Sequence, residues 1–244
     1  MMPNVQKPDH KKLINNMEKN LEPEKKLAAN EAVKFLKNNM VVGLGTGSTA
    51  KYAIEATGKM VKEGLLIRAV ATSNASEELA QTLGITIIDI NSIDSIDITI
   101  DGADEFTKDL TLIKGGGGAL LKEKIVASMT KEEIIIADSS KKVGVLGKFK
   151  LPIEIIPFAG NYVLNQLKIL KGEGKIRITS GNIFITDEGN YIIDADFGSI
   201  GAPAMLSAKL NEIEGVVAHG LFIKLAKKVI MGFNGGTEIF YRVE

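Results

Sequence analysis

The stretch Ile96-Asp97-Ile98-Thr99-Ile100-Asp101-Gly102-Ala103-Asp104-Glu105, followed by Lys114-Gly115-Gly116-Gly117-Gly118 and then Glu123, decides how this chain is read. Ile96 to Ile100 reads as a strand, and Ala119 to Met129 reads as a helix. Three carboxylates and a lysine-bearing glycine loop therefore fall at a strand's carboxyl end and a helix's amino end. Open α/β sheets gather their ligands at these positions. The placement points to a proton-transfer site for an anionic substrate.

Working outward, the same alternation of elements recurs. Glu24 to Lys37 carries apolar residues at helical spacing, with Pro23 suited to a first turn. Met40 to Leu44 is a short apolar strand, and Gly45 to Thr49 turns it into a helix over Ala50 to Glu63. Ile67 to Ala71, Ile85 to Ile90 and Glu133 to Asp138 read as further strands, and Ser76 to Leu83 as a helix stopped by Gly84. Apolar strands without alternation, separated by helices, predict an α/β fold with a Rossmann-like, mainly parallel sheet covered on both faces.

The pattern changes near residue 149. Ile153 to Ile156, Asn161 to Leu170, a hairpin of Asn182 to Thr186 with Tyr191 to Asp196, Ala202 to Ile213 and Gly215 to Phe222 give the order β-α-β-β-α-β. That order predicts a smaller ferredoxin-like α+β domain. Leu225 to Ile230 suits helix or strand, and Thr237 to Val243 is expected to rejoin the first sheet. The expected division is an extension over 1–20, a catalytic domain over 21–148 with 229–244, and a small domain over 149–228.

Composition narrows the functional classes. In 244 residues, 30 basic and 30 acidic side chains balance, so no bulk field favours nucleic acid or a membrane surface. There is no cysteine, which removes thiol nucleophiles and thiolate metal sites and suits a reducing cytoplasm. With only His10 and His219, no multi-histidine metal centre is expected. No apolar run approaches the roughly 18–20 residues of a membrane span.

Three segments can carry chemistry. Gly43 to Thr49 follows a strand and opens a helix, so its backbone N–H groups and the Ser48 and Thr49 hydroxyls can hold a phosphate. It departs from the dinucleotide fingerprint at Ser48 and lacks the lysine of a Walker A loop, and a plain capped turn is the competing reading. Asp101 and Asp104 are close enough to disfavour joint ionisation, although loop aspartates often only cap turns. Glu105 equally suits a surface charge. Lys114 and its glycines can present N–H groups and a positive charge to a developing oxyanion. Glu123 alone would suit a solvated helix face, and Ser139 to Lys142 is a further strand-end loop with cationic potential.

Taken in order, Gly43–Thr49, Thr72–Ser76, Asp101–Glu105, Lys114–Lys124, Ile136–Lys141 and Gly144–Pro157 resemble the ribose-5-phosphate isomerases of the A type. The resemblance runs from about Glu24 to Arg242. It implies reversible conversion of D-ribose 5-phosphate to D-ribulose 5-phosphate through an enediolate, in the non-oxidative pentose phosphate pathway, with no metal and no organic cofactor. It implies Glu123 as the base, Asp101 and Asp104 as holders of sugar hydroxyls, and Lys114 with the amides of Gly115, Gly116 and Gly117 as stabilisers of enediolate charge. Thr46, Gly47, Ser48 and Thr49, Gly102 and Ala103, and Lys141 would complete the substrate contacts. A cytoplasmic homo-oligomer, dimer or tetramer, joined through the small domain is also implied.

Two other functions use the same parts. A sugar-phosphate sensor would keep the phosphate turn but has no reason to keep Glu123, Lys114 and the acidic pair together. A nucleotide-dependent oxidoreductase is opposed by Ser48 in place of the last fingerprint glycine.

Overall fold

The computed structural model describes residues 20–242. Nearly all of the predicted 1–20 extension, and the Val243 end of the last predicted strand, lie outside the described residues. The chain opens with helix α1 (Glu22–Ala32), which carries Pro23 in its first turn. It continues through β1 (Val41–Leu44), α2 (Ser48–Lys62), β2 (Arg68–Ala71), α3 (Asn74–Thr82), β3 (Thr86–Ile87) and β4 (Ile96–Gly102). After the short strands β5 (Glu105–Phe106) and β6 (Leu112–Ile113) come α4 (Leu120–Met129) and β7 (Thr130–Asp138).

The small domain holds β8 (Leu151–Ile155), α5 (Gly160–Ile169), β9 (Glu173–Ile176), the hairpin of β10 (Ile178–Thr179) and β11 (Asn182–Ile183), β12 (Tyr191–Asp196), α6 (Pro203–Asn211) and β13 (Val216–His219). Strand β14 (Leu221–Phe222) leads back to β15 (Lys228–Phe233) and β16 (Gly236–Tyr241).

The large sheet has the order β16-β15-β7-β4-β1-β2-β3, and only the pairing of β15 with β16 is antiparallel. Burial on both faces explains the continuous apolar runs. Val42, Leu44, Ile98, Ile100, Ile134, Ile136 and Ile230 pack with α1 and α2 on one face. Ile135, Ala137, Val229 and Met231 pack on the other with Phe106, Leu112 and Phe222. The ambiguous Leu225–Ile230 region resolves as strand because Lys228–Phe233 lies parallel to β7 in this double-sided core. The stretch from Ile85 to Ile90 forms only a two-residue edge strand, then turns into a 3₁₀ segment at Ile90–Ser92 capped by Asp89.

The small sheet runs β13-β8-β12-β9, all antiparallel, with α5 and α6 on one face, so the ferredoxin-like arrangement is present. One element differs from expectation. The strand that flanks β12 on the side away from β8 is β9, in the stretch Glu173–Ile176, and not Asn182–Thr186. One glycine and two charges in four residues make that stretch a poor strand on propensity. Gly174 is nevertheless required, since a Cβ there would lie 2.5 Å from Ile193 Cγ2. Of the predicted hairpin, the Asp187–Asn190 turn remains, closed by a bridge between Ile185 and Tyr191.

A third sheet, β14-β6-β5, joins the two halves. It ties the chain leaving β4 and the chain entering the glycine loop to the end of the small domain. Lys114 N donates to Gly220 O at 2.9 Å in continuation of it.

Candidate active site

The site forms where β1 and β4 end side by side. Asp101 is the last inward side chain of β4 and is 1% exposed. Its Oδ1 accepts from Thr46 N at 3.0 Å and Gly102 N at 2.6 Å, and its Oδ2 lies 2.9 Å from Lys114 Nζ. The glycines of the first turn are the counterpart of this carboxylate. A Cβ on Gly45 would sit 2.1 Å from Asp101 Oδ1, and one on Gly43 would sit 2.0 Å from Thr99 Oγ1. Gly47 holds φ at 105°, where α2 begins with open N–H groups.

The turn is fixed from behind by hydroxyls. Thr46 Oγ1 is 2.7 Å from Thr72 Oγ1 and 2.9 Å from Ser73 Oγ, and Ser76 Oγ donates to Gly45 O at 2.7 Å. Ser73 also caps α3 by accepting from Ser76 N. The Thr72–Ser76 motif thus supports the turn and has no contact of its own with the cavity.

Lys114 is 2% exposed, and its ammonium is held by Asp101, by Glu123 Oε1 at 3.3 Å and by Gly102 O at 2.6 Å. Burial opposes the charge, but these carboxylates outweigh it and keep Lys114 firmly protonated. Glu123 sits in the first turn of α4, where the helix dipole favours a carboxylate. Burial dominates even so and raises its pKa to about 8, with Lys114 opposing and the nearby Asp101 charge adding to the rise. Its Oε2 has no hydrogen-bond partner. Asp104 is also shifted upward by burial, against the hydrogen bond from Gly116 N at 2.7 Å.

These groups surround a cavity of about 220 Å³. Thr46, Gly47, Ser48 and Thr49 form one wall, Gly102, Ala103 and Asp104 the next, and Lys114 with Gly115, Gly116 and Gly117 a third. Glu123 and Lys141 complete the lining. Asp101 stands behind Lys114 and reaches the cavity only through that ammonium and the Thr46 amide. The Gly116 amide is turned towards Asp104, so this member of the expected oxyanion set is committed to a carboxylate. Glu105 faces away, accepting from Gly147 N at 2.8 Å and Phe149 N at 2.5 Å. Among the described residues no group of three metal-binding side chains is assembled.

A family model described as Ribose 5-phosphate isomerase A (phosphoriboisomerase A) matches residues 68–236. The chain belongs to the ribose 5-phosphate isomerase A family. A ribose-5-phosphate isomerase A from Bacillus mycoides is 50% identical over 215 residues, covering 88% of this chain and 97% of the relative. One from Sphingopyxis alaskensis is 44% identical over 225 residues, covering 92% and 99%. Among solved structures, a D-ribose-5-phosphate isomerase in complex with phospho-erythronic acid superposes with a TM-score of 0.89 at 40% identity, covering 91% of this chain and all of that one. The ribose 5-phosphate isomerase of Plasmodium falciparum gives 0.88 at 38% identity, with the same coverage.

Two residues near this isomerase site escaped sequence reasoning. Glu133, 2% exposed on β7 and paired in register with Thr99, has neither carboxylate oxygen hydrogen-bonded. Burial, with the Asp101 charge adding and Lys114 opposing, pushes its pKa well above the usual carboxylate range. Inside an apolar run it read only as a strand start. Arg177 forks Asp194 from Nε at 2.9 Å and Nη2 at 2.5 Å and also donates to Gly115 O and Gly116 O at 3.1 Å each. A lone arginine 60 residues downstream of the loop offered no spacing signal.

Proposed function

We propose that this chain interconverts D-ribose 5-phosphate and D-ribulose 5-phosphate through an enediolate, with Glu123 as the base that carries the proton between the two carbons. The observation that carries this reading is the pairing of Glu123 with Lys114 at 3.3 Å on the wall of the cavity. A carbon-bound proton next to a carbonyl is only weakly acidic, so the base must be strong at neutral pH and the resulting oxyanion must be stabilised. Burial supplies the first requirement by raising the Glu123 pKa.

Lys114 supplies the second. When Glu123 takes the C2 proton, it loses its own charge and the enediolate gains one. The ammonium that had faced Glu123 can then face the oxyanion without moving far. The proton returns at C1, while the hydroxyl proton passes between the two oxygens, a transfer suited to Asp104. Asp101 holds Lys114 and the Thr46 amide in place, and Thr46 to Thr49 with Lys141 take the phosphate at the amino end of α2.

In this reading residues 21–148 with 229–244 carry the chemistry, and 149–228 join the copies of a cytoplasmic dimer or tetramer. Exposed Phe158, Ile169 and Met205 on the small domain support that assembly.

Purified protein incubated with D-ribose 5-phosphate should form the ketose, and Glu123→Gln should abolish its formation while retaining substrate binding. Absence of ribulose 5-phosphate with the native protein would remove the activity. Near-native turnover by the variant would remove Glu123 as the base.

A further inference from the structure

The sheet of the small domain has two unlike faces. Leu151, Ile153, Ile193, Ala195 and Ile176 point to α5 and α6 and build the core. On the other face Pro152, Asp194 and Lys175 lie side by side across β8, β12 and β9. The glycine loop covers the Pro152 end, where a Cβ on Gly115 would lie 3.2 Å from the proline ring. The β9 end is uncovered, and there a groove of about 490 Å³ opens between the sheet and Gly116.

Lys148, Lys150, Lys175 and Arg177 line this groove, with Asp194 its single acid. Asp194 is already taken up by the two-pronged contact with Arg177. Among the described residues no carboxylate lies within ion-pair distance of Lys148, Lys150 or Lys175. The next row of the same face carries Glu173 and Asp196, outside the lining, and Asp196 accepts from Gly198 N. Three unpaired ammonium groups in one concavity of a chain with zero net charge constitute a local anion trap.

We propose that this groove is a second anion site, distinct from the substrate cavity, that takes a phosphoryl anion of at least two negative charges and is felt at the catalytic loop through Arg177. The link consists of direct contacts. Arg177 grips Gly115 O and Gly116 O from the groove side, and Gly116 N holds Asp104 on the cavity side. An anion among the lysines competes with Asp194 for Arg177, and any shift of that guanidinium is passed to the peptide that positions Asp104.

The experiment uses full-length enzyme whose substrate cavity is saturated with phospho-erythronic acid. Inorganic phosphate and pyrophosphate are then titrated by calorimetry into it and into Lys148→Gln/Lys150→Gln/Lys175→Gln. Residual binding in the native enzyme is expected, tighter for pyrophosphate, and weakened about tenfold or more by loss of three exposed charge contacts. At saturating ribose 5-phosphate, pyrophosphate should change kcat at least about twofold in the native enzyme and leave the triple variant unaffected. No residual binding, or equal binding by both proteins, overturns the site. Binding that leaves kcat unchanged overturns the link to the loop. Failure of the groove is distinguishable from failure of the isomerase reading, because the latter shows as absent ribose 5-phosphate turnover in both proteins.

Discussion

Lys114 Nζ stands 2.9 Å from Asp101 Oδ2, and both side chains are almost wholly buried. A buried pair of this kind is poor evidence of stability, because desolvation offsets most of the attraction. Removing one partner is far more damaging, since the other charge is left without compensation. Lys114→Met should therefore lower unfolding stability by about 3–5 kcal/mol. It should also lower kcat by about 10²–10³, the loss expected for one oxyanion stabiliser. Chemical denaturation and steady-state rates measure the two effects. A variant that loses stability but keeps its rate would limit Lys114 to a structural role.

The raised Glu123 pKa fixes the sign of two pH effects. A base works ionised, so kcat/KM should climb through a limb near pH 8, well above the ordinary carboxylate range. The limb belongs to the interacting groups around Glu123 and not to one residue alone. A rate already constant between pH 5 and 9 would contradict the assignment.

Stability runs the opposite way. A carboxyl whose folded pKa lies above its unfolded value contributes stability that is full below the unfolded value of 4.5 and is lost as pH rises through about 8. The native protein should therefore lose stability relative to Glu123→Gln between these limits, by an amount on the order of a few kcal/mol. Melting temperatures of both proteins across this range measure the difference, and parallel curves would show that Glu123 does not titrate abnormally.

Gly45 lies where the backbone of one strand meets the side chain of another. A methyl group there would lie 2.1 Å from Asp101 Oδ1 and 2.5 Å from Asp101 Cα. The carboxylate could yield only by leaving the Thr46 amide and Lys114. Gly45→Ala should cost about 3 kcal/mol or more, the range for forced overpacking combined with a broken buried network. It should also depress kcat more than Gly47→Ala. A Cβ on Gly47 meets nothing within 4 Å and suffers only from φ. Near-native stability for Gly45→Ala would refute the close approach.

The two glycine segments and their acids were legible in the sequence because each combines an unusual local pattern with a strand before it and a helix after it. The parallel sheet was legible from runs such as Ile134 to Ile136, which need burial on both faces. What stayed hidden depends on distant partners. Glu173–Ile176 pairs with β12 although glycine weakens it, because Ile193, Leu164 and Leu167 fill the space its side chain would take. Glu133 is buried on β7 beside the charges of Asp101, Lys114 and Glu123, which come from distant parts of the chain, and Arg177 reaches the loop only through the folding of the small domain. Lys124 is a further case. It follows Glu123 on the helix that alone would suit a solvated face, yet its ammonium donates to His219 O and Leu221 O.

Glu105 follows Asp104 directly and gave no sign of a role in sequence. Its carboxylate is 3% exposed and accepts from the Gly147 and Phe149 amides, which fasten the segment entering the small domain to the end of β4. It points away from the cavity, so it has no part in proton transfer. Glu105→Ala leaves two N–H groups without their acceptor, at a cost of about 1–3 kcal/mol for each one left buried. Glu105→Gln keeps one acceptor oxygen and should recover part of that loss. Both variants should retain kcat within a few fold at temperatures where they are folded. Denaturation midpoints alongside turnover at 20 °C measure the separation. A hundredfold fall in kcat for Glu105→Gln at undiminished stability would place Glu105 in the chemistry after all.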